Sequence, residues 1–331
     1  MMAAREAAID RFLGAAGWGT AARRPLAGDA SFRRYLRLER DGGRAVLMDA
    51  PPPMEDVRPF VRIAGLLRSL DLSAPEVLAI DAEHGLLLLE DLGDDTYTRV
   101  LAAGGDETAL YALAVDLLVA LQARIRPEAL QALAAYDLAR MLDEATVMVD
   151  WFLPSATGHA PPPGLREDYL ARWADVLAAA PLGPPTLVLR DYHVDNLMWL
   201  PARGGVAACG LLDFQDAVAG PRAYDLVSLL EDARRDLDPA LVSAMRVRYL
   251  DRAGARDAGA FDHAYAVLGA QRNCRIVGVF ARLDRRDGKP HYLRHLPRLW
   301  RLIAHDLRHP ALAPIAEWLD RHVPPAARGT P

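Results

Sequence analysis

The chain has 331 residues, 52% of them hydrophobic, and a formal net charge of −5. That length and apolar content can fill one large domain or two lobes with a real core, and the mild acidity gives no basis for binding nucleic acid or an anionic membrane. No apolar run approaches the ~20 residues of a membrane span, and the polar start Met1-Met2-Ala3-Ala4-Arg5-Glu6 lacks the apolar core of a signal peptide.

In chain order, residues 3 to 17 read as a helix. A strand-like stretch follows, then Gly28-Asp29-Ala30-Ser31. Two alternating runs, 35–39 and 45–48, flank Asp41-Gly42-Gly43 and predict a hairpin. Pro51-Pro52-Pro53 ends its second strand, because proline cannot continue a ladder. Val57, Phe60, Val61, Ala64 and Leu67 form a helical face within residues 55–70. Residues 75–80 and 85–90 predict two more short strands. Beyond Gly93 the pattern turns helical, over 107–124, 137–152, 166–180, 222–235, 239–252, 258–283 and 296–307. The exception is a second hairpin, with strands 197–200 and 206–212 around Pro201-Ala202-Arg203-Gly204-Gly205. The expected fold class is α+β, a small antiparallel sheet lobe followed by a larger, mainly helical lobe. The sheet lobe is residues 1–92, the helical lobe 93–331, and Glu90 to Gly93 their hinge.

Composition sharpens one motif. Asn196 and Asn273 are the only asparagines, and Lys289 is the only lysine. Asn196 stands five residues after Asp191 in Arg190-Asp191-Tyr192-His193-Val194-Asp195-Asn196, the D-x-x-x-x-N spacing of a phosphotransfer catalytic loop. Antiparallel pairing in the second hairpin sets Asn196 near Asp213, since cross-strand neighbours stand about 5 Å apart at Cβ. An amide and a carboxylate are oxygen donors suited to Mg²⁺, and Asp191 is placed to accept a hydroxyl proton. Any one of these residues alone would read as ordinary turn or capping chemistry. Cys209 and Cys274 each lie in an apolar pattern, as isolated thiols do in a reducing cytosol. A cytoplasmic, monomeric protein acting on a small molecule is therefore expected.

At these residues the chain resembles the aminoglycoside phosphotransferase and choline kinase-like superfamily, which is built like protein kinases. Within it, the chain most resembles the bacterial anomeric sugar kinases of cell-wall recycling, which act on N-acetylmuramate and N-acetylglucosamine. The resemblance is carried by Gly28 to Tyr35, Val46 to Pro52, Leu89-Glu90-Asp91-Leu92-Gly93, Asp150-Trp151-Phe152-Leu153, Leu189 to Met198 and Phe280 to Lys289. It implies ATP and Mg²⁺ as cofactors, Asp191 as catalytic base, and Asn196 and Asp213 as metal holders. It also implies Gly28 and Ser31 in a turn over the ATP phosphates, backbone contacts from Glu90 and Leu92 to adenine, and support of the catalytic loop by Asp225. Two departures stand out. The superfamily opens its catalytic loop with His-Gly-Asp, whereas this chain has Leu189-Arg190-Asp191. It also holds the phosphates with a third-strand lysine, whereas this chain reads Leu47-Met48-Asp49 there. Arg33, Arg34 or Arg44 must then neutralise the triphosphate, which a guanidinium can grip bidentately. On the acceptor side, Trp151 offers an apolar wall, Glu144 a hydroxyl acceptor, and Arg275 or Arg282 a partner for a lactyl carboxylate. Another small-molecule kinase, for an aminoglycoside, choline or an amino acid, and a non-catalytic nucleotide-binding module remain alternatives.

Overall fold

The computed structural model describes residues 2–26, 33–254, 257–323 and 325–329. In chain order the regular elements are α1 (Met2–Ala15), β1 (Ala22–Pro25), β2 (Arg34–Arg40), β3 (Gly43–Asp49), α2 (Arg58–Ser69), β4 (Val77–Asp81), β5 (Leu86–Glu90), α3 (Tyr97–Ala102), α4 (Glu107–Arg124) and α5 (Pro127–Leu130). They continue with α6 (Leu138–Val147), α7 (Leu153–Thr157), α8 (Leu165–Ala179), β6 (Thr186–Val188), β7 (Leu197–Trp199), β8 (Cys209–Leu211) and β9 (Val218–Gly220). The chain ends in α9 (Tyr224–Leu230), α10 (Pro239–Ala253), α11 (Ala258–Asp287), α12 (Leu296–Asp306) and α13 (Ala313–His322). Among the described residues no helix is long and apolar enough to cross a membrane.

The chain forms two compact units, Met1–Leu121 with Val194–Ala217, and Gln122–His193 with Val218–Pro331. The first unit holds a five-stranded antiparallel sheet in the order β1-β2-β3-β5-β4. Strand alternation sorts its side chains. Leu38, Ala45, Leu47, Leu86 and Leu88 line one face and meet Ile9, Phe12 and Leu13 of α1, which the helical spacing puts on one side of that helix. Helix α2 buries Phe60, Ile63, Ala64 and Leu67 at the i, i+3, i+4, i+7 positions, the three large side chains worth about 1.5–3 kcal/mol each when fully buried. Residue 92 marks the end of the sheet rather than of the unit. The unit runs on through α3 and most of α4 and takes in the β7–β8 hairpin. The join is made by the Thr96–Met198 bridge and by the Trp199 N–H, which donates to Asp95 O at 2.7 Å.

The second unit is built around α11, whose residues 264–274 are all buried. Asp257 caps its start and Gly288, at φ +64°, ends it in the left-handed turn glycine favours. The expected continuous helix 137–152 is interrupted: a π turn, Met148–Phe152, follows α6. Gly278 of α11 explains how the backbones meet there, since a Cβ at that position would lie 2.4 Å from Val147 O and 2.5 Å from Met148 N. The expected helix 222–235 is shorter, ending at Leu230. A two-stranded β6–β9 ladder, not expected from the sequence, pairs Leu187 with Ala219.

Candidate active site

In the first unit the hairpin pairs Leu197 with Leu211, Met198 with Gly210 and Trp199 with Cys209. Its strands are three residues long, shorter than the expected 197–200 and 206–212, because residues 205–208 form a 3₁₀ turn. The Leu212 N–H donates to Asn196 O at 2.9 Å, carrying the ladder one step further. Asn196 and Asp213 therefore flank the open end of one hairpin. Asp213 has φ +55°, a left-handed conformation that costs a non-glycine residue of order 1–3 kcal/mol. The hairpin is fixed from behind. The Leu211 N–H donates to Ser73 O at 2.7 Å, and the Ser73 hydroxyl donates to Ala207 O at 2.6 Å. Next to Asp213, Phe214 packs on Phe60 of α2 with ring centroids 4.8 Å apart, and Gln215 Nε2 donates to Asp213 Oδ1 at 2.9 Å.

Arg33 brings a cation to this carboxylate. Its Nη1 lies 3.6 Å from Asp213 Oδ1, its Nε 3.7 Å from Glu55 Oε2, and its side chain is 13% exposed. Burial works against its charge, but Tyr35, Asp213, Glu55 and Asp216 together outweigh that and hold its pKa above the ordinary value. Arg34 does not join it. One residue along the strand, it turns to the other face, where it and Arg5 of α1 both bond the buried Asp49, opposite it on β3. Arg44 sits closer to the end of β5, 3.9 Å from Asp91.

The segment after β5 is clamped by Arg37. Its Nε lies 2.8 Å from Asp91 Oδ2, its Nη1 donates to Asp94 Oδ2 at 2.7 Å, and its Nη2 to Gly93 O at 2.9 Å. The Glu90 N–H is engaged by Glu76 O at 2.8 Å, and the Glu90 carboxylate meets Arg203 of the hairpin connection. Leu92 packs against Gly210: a Cβ there would lie 3.3 Å from Leu92 Cδ1. Gly28 and Ser31, the residues expected over the phosphates, lie outside the described residues.

In the second unit Asp191 follows β6 on a loop whose backbone is held by a buried carboxylate. Asp225, 1% exposed, accepts the Leu189 N–H at 2.7 Å and the Arg190 N–H at 2.9 Å. Burial pushes its pKa up to about 7, although those two N–H groups and Arg272 pull the other way. The Ser228 hydroxyl donates to Arg190 O at 3.1 Å and accepts from Arg272 Nη2 at 2.8 Å. Arg190 itself has φ +73°.

Glu144 was expected to accept a substrate hydroxyl; its oxygens are engaged within the protein. Arg190 Nη2 bonds Oε1, the Tyr136 hydroxyl donates to Oε2 at 2.7 Å, and Arg275 Nε lies 3.2 Å from Oε2. Burial outweighs everything else at Tyr136 and drives its pKa well up. Arg282 stands on the same side of α11 as Arg275 and near it; burial, then the charges of Arg286 and Arg275, lower its pKa. Trp151 is half-exposed within the π turn, while its neighbour Phe152 is fully buried against Trp300, with centroids 5.5 Å apart. Two residues were missed by reading the sequence: Arg37, whose partners are more than fifty positions away, and Arg190, whose backbone an arginine does not announce.

A sequence profile of the phosphotransferase enzyme family matches residues 22–261. The chain is 40% identical to an N-acetylmuramate/N-acetylglucosamine kinase of Caulobacter vibrioides, over 98% of each chain. It is also 40% identical to a Pseudomonas aeruginosa protein of the same name, over 92% of this chain and 90% of the relative. Among solved structures, the GDP complex of aminoglycoside 2'-phosphotransferase-IIIa superposes with a TM-score of 0.66 at 16% identity, covering 91% of this chain and 99% of that one. A choline/ethanolamine kinase family protein from Mesorhizobium loti gives 0.61 at 14% identity, covering 96% and 99%. At these identities the two structures speak for the fold, a protein kinase-like α+β architecture.

Proposed function

Because the chain belongs to the phosphotransferase enzyme family, we propose that it is an ATP-dependent kinase acting on the anomeric hydroxyl of N-acetylmuramate or N-acetylglucosamine, as the names of its 40%-identical relatives suggest. The observation that carries this reading is the built loop at residues 189–196. A buried aspartate holds the backbone before Asp191, and five residues later the chain enters a hairpin whose open end presents Asn196 and Asp213.

In this reading Asp191 orients the sugar hydroxyl and takes its proton. An anomeric hydroxyl is more acidic than an ordinary alcohol, so a carboxylate base is adequate. Asn196 and Asp213 would hold Mg²⁺. The donor set fits: both side chains offer hard oxygens at the open end of the hairpin, Asn196 opposite Leu212, the residue before Asp213, and Mg²⁺ takes its remaining ligands from phosphate and water. When bound, Mg²⁺ would offset the charge of the β- and γ-phosphates. Arg33, beside Asp213, would add the positive charge that a third-strand lysine supplies elsewhere in the superfamily. Glu90 and Leu92 are the backbone positions proposed for adenine, on a segment Arg37 holds still. We assign the reaction to the cytoplasm, where ATP is available and the buried free thiols Cys209 and Cys274 stay reduced.

The test is a panel of hydroxyl acceptors in a coupled ADP-release assay, with phosphorus NMR to locate the new ester. The expected outcome is turnover on the two amino sugars with a phosphate on C1. Turnover only on an aminoglycoside, choline or an amino acid, or nucleotide binding with no ADP released, would overturn the assignment.

A further inference from the structure

The loop before Asp191 carries a residue its backbone does not favour. Arg190 sits at φ +73°, where a side chain is crowded and a glycine is not. Its peptide is already held from both sides, by Asp225 at the N–H and by Ser228 at the carbonyl. A glycine would keep both bonds without strain, so the loop does not need the guanidinium for its shape. What the side chain adds is charge. It is 10% exposed, pairs with Glu144, and lies 5.8 Å from the centre of the Tyr136 ring. Its Nε is buried with no hydrogen-bond partner.

The surroundings are rich in positive charge. Glu144 is shared between Arg190 and Arg275. Arg282 stands near Arg275 with no carboxylate at ion-pair distance among the described residues, and its Nε too is buried without a partner. With Arg140, 3.8 Å from Glu144, four guanidiniums, Arg140, Arg190, Arg275 and Arg282, stand against the carboxylates of Glu144, Asp191 and Asp287, the last acting on Arg282 from the end of α11. Partly buried like charges need a counter-ion, and a forked guanidinium matches a carboxylate.

We propose that Arg190, Arg275 and Arg282 form a subsite for the carboxylate of an acidic sugar acceptor. Glu144 holds two of the three in place, and Arg190 ties the subsite to the base through a single peptide bond. The subsite rests on the sugar-kinase reading above and deepens it: the arginines select for an acid, N-acetylmuramate, over its neutral counterpart, N-acetylglucosamine. Removing Arg190 leaves Arg275 neutralised by Glu144 and takes one guanidinium away from the acceptor's carboxylate.

Steady-state kinetics of wild type, Arg190→Gly and Arg190→Lys, with both sugars and with ATP varied, test this. In Arg190→Gly the KM for N-acetylmuramate should rise roughly 10- to 100-fold, while the KM values for N-acetylglucosamine and ATP stay within about threefold. Arg190→Lys should recover part of the loss. Arg282→Ala, which leaves the loop untouched, should shift the same KM in the same direction whether or not the glycine variant folds. Equal effects on both sugars would reduce Arg190 to a loop support, and a rise in the ATP KM would mean the arginines bind phosphate; either overturns the proposal. If the wild-type protein phosphorylates neither sugar, the functional reading fails first and the subsite falls with it.

Discussion

Asp213 and Asp191 lie in different units and are secured by opposite means. The end of the β7–β8 hairpin is held by ladder hydrogen bonds and apolar packing: Leu212 on Asn196, Leu211 on Ser73, Phe214 on Phe60. The loop before Asp191 is held by a buried charged group, Asp225, and by the chain Arg272–Ser228–Arg190. Both supports hold a non-glycine residue at positive φ, Asp213 in one unit and Arg190 in the other. The difference is in what each support tolerates. Packing is sensitive to volume and indifferent to protons. A buried carboxylate is sensitive to protons and, at a loop, less sensitive to volume.

The largest expected effect belongs to chemistry rather than support. Asp191→Asn should lower kcat about 10²- to 10⁴-fold by removing the base, while ATP still raises the melting temperature as it does in wild type. Equal kcat in the two proteins would remove Asp191 from the mechanism.

Asp225→Asn comes next and probes the charged support. One amide oxygen cannot accept both N–H groups as the carboxylate does, and an unsatisfied buried donor costs about 1–3 kcal/mol. kcat should fall with stability, since the loop shifts. The pH dependence carries the signature. A carboxyl that titrates near 7 when folded, against 3.8 for its ordinary value, binds more protons in the folded state across that window. Its contribution to stability is therefore greatest below about pH 4, declines as pH rises toward about 7, and is constant above. Urea midpoints of wild type minus Asp225→Asn should show that decline, and a difference that stays flat from pH 4 to 8 would contradict it.

Gly210→Ala probes the packed support. A Cβ at Gly210 would lie 2.9 Å from Met198 Cβ and 2.9 Å from Leu200 Cδ1, so the strands must part. The expected loss is about 1–3 kcal/mol of stability, with activity lowered and no change between pH 5 and 8. If this loss varied with pH as strongly as that of Asp225→Asn, the contrast between the two supports would disappear.

Much of this arrangement was legible locally. The Asp41-Gly42-Gly43 turn, the helix at 107–124 and the second hairpin are short-range signals, and the 191-to-196 spacing is fixed along the chain. What escaped is non-local. β6 and β9 are three-residue strands some thirty positions apart, too short to show a period. The π turn at Met148–Phe152 starts where Gly278 of α11 packs closely on Val147 and Met148, a contact no window around residue 150 contains. Glu144 reads as a hydroxyl acceptor, yet beside its near neighbours Tyr136 and Arg140 it is engaged by Arg190 and Arg275, which lie far off in the chain. Strand alternation could have separated Arg33 from Arg34, but only once the start of β2 was known to the residue.

That one-residue parity gives the smallest and sharpest test. Arg33 and Arg34 are neighbours of identical chemistry, so composition cannot distinguish them. The sheet sends Arg33 toward Asp213 and Glu55, and Arg34 toward Asp49 and Arg5. If Arg33 supplies the cation for the triphosphate, Arg33→Ala should raise the KM for ATP by roughly tenfold or more, as expected for a partly buried charge contact. Arg34→Ala should leave that KM within about twofold, since Arg34 faces Asp49 and Arg5 on the other side of the sheet and Asp49 keeps Arg5. Equal shifts in both variants would mean that the two faces of the sheet do not divide nucleotide binding from helix packing, and the cation would have to be sought in Arg44 or Arg37.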